Sequence, residues 1–149
     1  MEIEFRQAGE GDLSDILNMM ESFNVNENYP FDSAISRKNL KKFIAGSTLG
    51  RFWLVRSDHK AIGYIALTFG FSFEYRGRDA FIDELFIKEP YRNKGIGKKA
   101  MEFLETEARK LGVKAIHLEV ERRNGQGKRL YAQCGYTGSD RALLTKKLI

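Results

Sequence analysis

The sequence predicts an α/β (α+β) protein with a mixed, mostly antiparallel central sheet flanked by about four helices. Three observations carry this prediction. Two strand signals, "RFWLVRS" and "AIGYIALTFGFSFEY", flank the short turn "DHK" and read as a hairpin. "DAFIDELFIK" is mostly apolar on both faces, as a central strand is, and a glycine turn and a long amphipathic helix follow it. That helix leads into another strand signal, "KAIHLEV", which gives a strand–helix–strand unit in the second half.

The elements follow in order. "IEFRQA" alternates apolar and polar residues and reads as a short strand. "DLSDILNMMESF" places Leu13, Ile16, Leu17 and Met20 at helical spacing, with Asp12 as N-cap. "NVNENYPFDS" reads as a loop. "AISRKNLKKFIAG" repeats the helical pattern through Ile35, Leu40, Phe43 and Ile44, and Gly46 ends it. In the long hairpin strand Phe69, Phe71, Phe73 and Tyr75 fall at period two. They are expected to face the core, or, for the outermost of them, to wall a substrate pocket. "GIGKKAMEFLETEARKLG" is the strongest helix signal, with a stripe of Ile96, Ala100, Phe103, Leu104, Ala108 and Leu111 and a C-cap at Gly112. "GKRLYAQCG" reads as a short helix ending at Gly135. "ALLTKKLI" reads as a closing strand, with room for one more short strand near Tyr136.

Composition narrows the function classes. The chain has 149 residues, 42% hydrophobic and 30% charged, as expected for a single globular domain over 1–149. The net charge of +5 fits an anionic ligand. A nucleic-acid binder should show a basic stripe with exposed aromatics, whereas here acidic residues nearly balance the basic ones. No apolar run approaches the roughly 20 residues that span a bilayer, and "MEIEFRQAGEGD" lacks a signal-peptide core. The single cysteine, Cys134, offers no internal disulfide, so a reducing cytoplasm is expected. Neither His59 nor His117 has a partner at metal-ligand spacing, and no metal is expected.

"EPYRNKGIGKKAM" raises the main chemical question. A strand, a glycine turn and a helix stand in the order that a phosphate site needs. Glycines let successive N–H groups point inward, and the helix start adds partial positive charge. Arg92, Lys94, Lys98 and Lys99 add cations there. The spacing is neither the Walker pattern nor the dinucleotide one. An anion cradle and a plain helix start both remain open on these grounds.

"Arg92-Asn93-Lys94-Gly95-Ile96-Gly97" matches the R/Q-x-x-G-x-G/A signature of the GNAT superfamily of N-acetyltransferases. "IDELFIKEPYRNKGIGKKAMEFLE" resembles the strand, loop and helix of that family throughout. "Asn124…Gly127…Leu130-Tyr131…Gly135-Tyr136" resembles its N-x-x-A-x-x-L-Y-x-x-x-G-F/Y pattern. Gly127 departs from it, standing where the family has alanine. It either weakens the helix start or allows a close backbone approach.

The resemblance implies a sheet whose strands splay at an acetyl-CoA site. It implies that Arg92, Asn93, Lys94, Gly95, Ile96, Gly97 and Lys98 surround the pyrophosphate of coenzyme A. Leu85, Phe86 and Ile87 would face its pantetheine arm, and Asn124 and Gly127 would lie near that arm. Lys128, with Arg123 and Arg129, could reach the 3′-phosphate, although solvated surface serves as well. The implied reaction is direct acetyl transfer to an amine. Most amines are protonated at neutral pH, so a base is needed. Asp83 matches an acidic base of small-amine members. Glu84, its neighbour, is expected on the opposite strand face. Phe86 N–H is the expected oxyanion donor, and Tyr131 matches the tyrosine that protonates the departing sulfur. Cys134 is not needed.

"GRDAFIDELFI" is similar to polyamine- and diamine-type members, which implies a small-molecule primary amine as acceptor: polyamine-like, an amino sugar or an amino acid. Glu27, Tyr29, Phe31, Glu74 and Tyr75 lie in the segments that set acceptor choice in the family. Alternatives are acetylation of a protein lysine or N-terminus, and a non-catalytic coenzyme A-binding regulatory module. The family is often dimeric, so a homodimer belongs to the same expectation.

Overall fold

The computed structural model describes all 149 residues, Met1–Ile149. They form two compact units, Met1–Glu119 and Val120–Ile149. The first unit holds β1 (Glu4–Gln7), α1 (Leu13–Asn26), α2 (Ser33–Ala45), β2 (Gly50–Ser57), β3 (Lys60–Ser72), β4 (Gly77–Ile87), α3 (Ile96–Lys110) and β5 (Ala115–His117). The five strands make one sheet in the order β1-β2-β3-β4-β5. The first three pairings are antiparallel, and only β4–β5 is parallel. No helix is long and apolar enough to cross a membrane.

Alternation along the strands sends apolar residues to both faces of the sheet. On one face Phe52, Leu54, Tyr64, Ala66 and Phe86 pack against Leu13, Ile16, Leu17 and Met19 of α1 and Leu40 of α2. On the other, Phe103 of α3 stacks on Phe5 at 4.5 Å and meets Trp53 edge-on. The α3 stripe of Ile96, Ala100, Leu104 and Ala108 is buried. The β2–β3 turn is the expected tight one: Asp58 and His59 both take positive φ, as a two-residue hairpin turn of the right twist requires. Asp32 caps α2 by accepting from Ile35 N–H at 3.0 Å. Asp12 sits at the N-cap of α1, but its carboxylate binds Gly9 N–H and Arg6 instead.

Several expectations fail. Phe71 and Phe73 are 72% and 91% exposed, not core. The β2 ladder ends at Gly50↔Thr68, so β3 beyond that point has only β4 beside it. Phe69 there is covered by the guanidinium groups of Arg51 and Arg78. The predicted strand "KAIHLEV" keeps only Ala115–His117.

The second unit contains α4 (Gly125–Gln133). Neither the closing strand at "ALLTKKLI" nor a short strand near Tyr136 forms. Leu143, Leu144, Leu148 and Ile149 are exposed, so their apolar pattern joins no sheet.

Candidate active site

The site is built on β4. Its register against β3 shifts by one residue, from Leu67↔Ile82 to Ala66↔Glu84, leaving Asp83 as an extra residue in a β-bulge. The bulge changes which way side chains point. Ile82 is buried opposite Leu67, outside the cluster that packs on α1 and α2, so it faces the α3 side. Asp83, the inserted residue, is exposed, and its charge acts on both Tyr64 and Glu84, which turns it to the α1/α2 face. Glu84, paired with Ala66 and bonded to Tyr64, lies on that same face. The expectation that Asp83 and Glu84 point to opposite faces is corrected: strict alternation does not survive the inserted residue.

The two carboxylates differ in surroundings. Tyr64, fully buried and stacked on Phe52, donates its hydroxyl to Glu84 Oε1 at 2.6 Å. Burial raises the Glu84 carboxyl above its ordinary value, the Tyr64 contact lowers it, and Asp83 raises it again. Burial alone raises Asp83, which remains open to solvent. Tyr64 itself is pushed far up, first by burial and then by Glu84, so it stays a donor at every relevant pH.

Beyond the bulge β4 has one free edge. Its pairing with β5 stops at Phe81↔His117, while its pairing with β3 continues to Ile87. Residues 82–87 thus have no strand on the β5 side. Lys88 N–H donates to Ile62 at 2.8 Å, and alternation along the ladder then turns the Phe86 and Glu84 backbone groups toward β3. Leu85 and Ile87 direct theirs to the free edge. Phe86 is accordingly corrected as an oxyanion donor: its N–H is taken by the ladder and its side chain is core, tilted on Tyr64. The Leu85 N–H is the group left facing the edge.

The loop after β4 turns through a short 3-10 segment, Glu89–Tyr91, into α3. Asn93 and Gly95 both take positive φ, 61° and 78°, and no side chain caps the start of α3. The first-turn N–H groups of that helix, with Lys94 and Lys98 exposed around them, suit an anion. Gly97 is the second residue of that first turn. Arg92 points back: its Nε donates to Ile87 C=O at 2.7 Å and its guanidinium lies over Phe86. It closes the last carbonyl of the free edge. A cleft of about 700 Å³ opens beside this loop, between α1 residues Asp15 to Ser22, the His59 turn and Phe86 to Arg92. Neither Asp83 nor Glu84 lines it.

In the second unit Asn124 is the N-cap of α4, its Oδ1 accepting from Gly127 N–H at 2.9 Å. A Cβ at Gly127 would lie 2.5 Å from Asn124 Nδ2, so the glycine makes room for this cap. Tyr131 is half-buried on α4 and meets Tyr136 edge-on. Burial, then Cys134, raises its hydroxyl above the ordinary value. Lys128 is exposed on the same helix.

Of the residues expected to meet an acceptor, Glu27 caps the end of α1 and Tyr29 is exposed in the following loop. Phe31 instead packs against the α1/α2 core cluster. Glu74 and Tyr75 sit in the β3–β4 turn, where Tyr75 lies against His117 at 5.1 Å. Sequence reasoning missed Tyr64, whose hydroxyl looks like one more apolar strand position. It also missed that His117 has a partner, Asp79, at 3.0 Å, because 38 residues separate them.

The Acetyltransferase (GNAT) family matches residues 15–136 of this sequence. The chain belongs to that family. It is similar to an uncharacterized N-acetyltransferase of Archaeoglobus fulgidus, with 31% identity over 132 residues that span 87% of this chain and 90% of that protein. It is also similar to the thialysine N-epsilon-acetyltransferase of Bos taurus, with 26% identity over 142 residues, 89% of this chain and 83% of that one. Among solved structures, an integron cassette protein from the mobile metagenome of Cole Harbour Salt Marsh superposes with a TM-score of 0.88. It is 30% identical, over 97% of this chain and 90% of that chain. This GNAT protein is therefore an acyltransferase of the N-acetyltransferase class, with the mixed five-stranded sheet and four helices of its relatives.

Proposed function

We propose that this acetyltransferase moves the acetyl group of acetyl-CoA directly to a primary amine of a small, polyamine-like cation, as one catalytic domain. The observation that carries the reading is the β4 bulge, which sets Asp83 and Glu84 on one face beside a free strand edge. Two carboxylates on one face attract a cationic amine and repel an anionic acceptor. The bovine relative is named for N-epsilon-acetylation of thialysine, which supports a small-molecule amine as acceptor.

The residues present fit the donor. A strand edge without a partner suits the amide arm of coenzyme A, and the left-handed turns at Asn93 and Gly95 before an uncapped helix suit its pyrophosphate. Leu85 and the Ile87 N–H would hold the arm, the Ile87 carbonyl being taken by Arg92, and the 93–98 backbone would hold the phosphates. The donor supplies an activated thioester acetyl group. Asp83, exposed and with a raised pKa, accepts a proton from the ammonium form of the acceptor and leaves a neutral nitrogen to attack. Glu84, fixed by Tyr64, orients that nitrogen. Leu85 N–H faces the charge that develops on the carbonyl oxygen. By its place in the family motif Tyr131, whose hydroxyl pKa is raised by burial, would supply the proton that the departing sulfur takes. As the amide forms the nitrogen gives up its second proton, which restores the Tyr131 hydroxyl through water, and Asp83 sheds its own proton to water.

A thiol-release assay with acetyl-CoA across polyamines, aminoglycosides, amino acids and lysine peptides tests this. Turnover should concentrate on small polyamines. Coenzyme A binding without turnover on any amine would replace the reading with a regulatory module, and a preference for peptides would replace it with protein acetylation.

A further inference from the structure

We infer that β4 carries a second cation subsite, formed by Asp79, His117, Tyr75 and Phe81, which holds a distal ammonium of the acceptor and selects extended polyamines over monoamines. This rests on the amine-acetylation reading above and adds a length rule to it.

The subsite follows from register. Ala80 and Ile82 are buried, so Asp79 and Phe81 alternate to the face that Asp83 and Glu84 share. His117 is the β5 residue opposite Phe81 and lies on that face too. Its Nε2 is 3.0 Å from Asp79 Oδ2, which fixes the carboxylate through one oxygen. The other oxygen, Oδ1, lies over β3 at Gly70, where a Cβ would come within 2.6 Å of it. Glycine at that position leaves Oδ1 uncovered. The rings of Tyr75 and Phe81 stand 5.1 and 5.2 Å from the imidazole, and both remain exposed. Asp79 and His117 side chains keep 17% and 25% of their surface in solvent, so a ligand can reach them.

A carboxylate with one free oxygen between two aromatic rings fits an alkylammonium. The charge meets Oδ1, and the adjoining methylenes lie on the ring faces. An anion would be repelled by Asp79. A metal ion would find one carboxylate and one imidazole, fewer ligands than a stable site uses. Spacing gives the length. Asp79 and Asp83 are four residues apart, and with the bulge they span between three and four positions of β3, about 10–13 Å at the usual rise. An acceptor that reacts at Asp83 while its far nitrogen binds Asp79 must span roughly that distance, which a short diamine or a monoamine does not.

The test compares a length series of diamines and triamines with alkyl monoamines of matched length. Thiol release gives kcat and KM, and calorimetric titration of the same amines gives affinity without chemistry. The expected result is a lower KM for the long polyamines. Asp79→Asn should raise that KM roughly tenfold to hundredfold, the loss of one charge-assisted contact, with kcat little changed and monoamines unaffected. Gly70→Ala, whose methyl displaces only the end of the Asp79 side chain, should act in the same direction and in the same selective way. Titration should show the same loss. Equal effects on monoamines and polyamines, or none on either, would reduce the Asp79–His117 contact to a fastening between β4 and β5. Wild-type turnover of amines with no length preference would overturn the subsite and leave the acetylation reading intact. No turnover on any amine would overturn both.

Discussion

Replacing Tyr64 by phenylalanine removes one oxygen and keeps the ring that stacks on Phe52 at 5.2 Å and tilts on Phe86 at 5.7 Å. Packing is therefore nearly conserved, and the loss falls on the 2.6 Å hydrogen bond to Glu84. A hydrogen bond to a charged group contributes about 1.5–3 kcal/mol, and Glu84 is only half-buried. A loss of about 2 kcal/mol at neutral pH is expected, or about 4–8 °C in Tm for a chain of this size. The sign with pH follows from the contact. It favours ionised Glu84 and lowers its otherwise raised pKa, so the stability it gives is present above that pKa and lost as pH falls through it. Urea unfolding of Tyr64→Phe and wild type at neutral pH and again below the ordinary carboxylate range measures both limbs. The difference should be full at neutral pH and shrink in acid. A loss of the same size at both, or no loss, would refute the reasoning, because the first is packing and the second means the hydroxyl was as well placed in water.

Four further outcomes are expected. Tyr131→Phe should lower kcat by about a hundredfold, the scale of a lost general acid, with coenzyme A affinity unchanged by titration. Gly95→Ala has open space for its methyl but a φ of 78°, so it should cost about 1–2 kcal/mol from backbone strain and weaken coenzyme A binding. Gly127→Ala gains helix propensity and displaces the Asn124 cap, two effects of about 1 kcal/mol each. Unfolding should hardly register it, whereas coenzyme A titration should. The raised Asp83 and Glu84 groups contribute stability that is complete below their unfolded values and is lost as pH rises through their folded ones. Asp83→Asn with Glu84→Gln should flatten the fall in stability between the ordinary carboxylate range and neutrality.

Much of the fold was legible because periodicity and turn chemistry are local. The β2–β3 hairpin, α1 to α3 and the glycine turn before α3 all stand where apolar spacing and Gly, Asp and Asn signals put them. What escaped is non-local. No residue near Asp83 announces a bulge, yet that one inserted position decides which way two carboxylates point. Phe71 and Phe73 carry a core-like pattern, but whether a strand is covered depends on where β2 stops. Glu84 gains its partner from position 64 and His117 from position 79, and neither spacing has a signature in one sequence. Arg92 matched a phosphate signature by position, while its Nε is used on the Ile87 carbonyl. The closing segment had the right composition, yet residues 142–149 form no strand.

The central claim is that a carboxylate on the bulge of β4 takes the proton from the acceptor amine. The pH dependence of kcat/KM for a polyamine, measured for wild type and Asp83→Asn at saturating acetyl-CoA, tests it most directly. Wild type should show an acidic limb with a pKa above the ordinary aspartate value of 3.8, set by the burial of Asp83. Asp83→Asn should lose that limb and fall by about a hundredfold or more on the plateau. An unchanged limb with an unchanged plateau would contradict the claim and return Asp83 to the role of a surface residue on a bent strand.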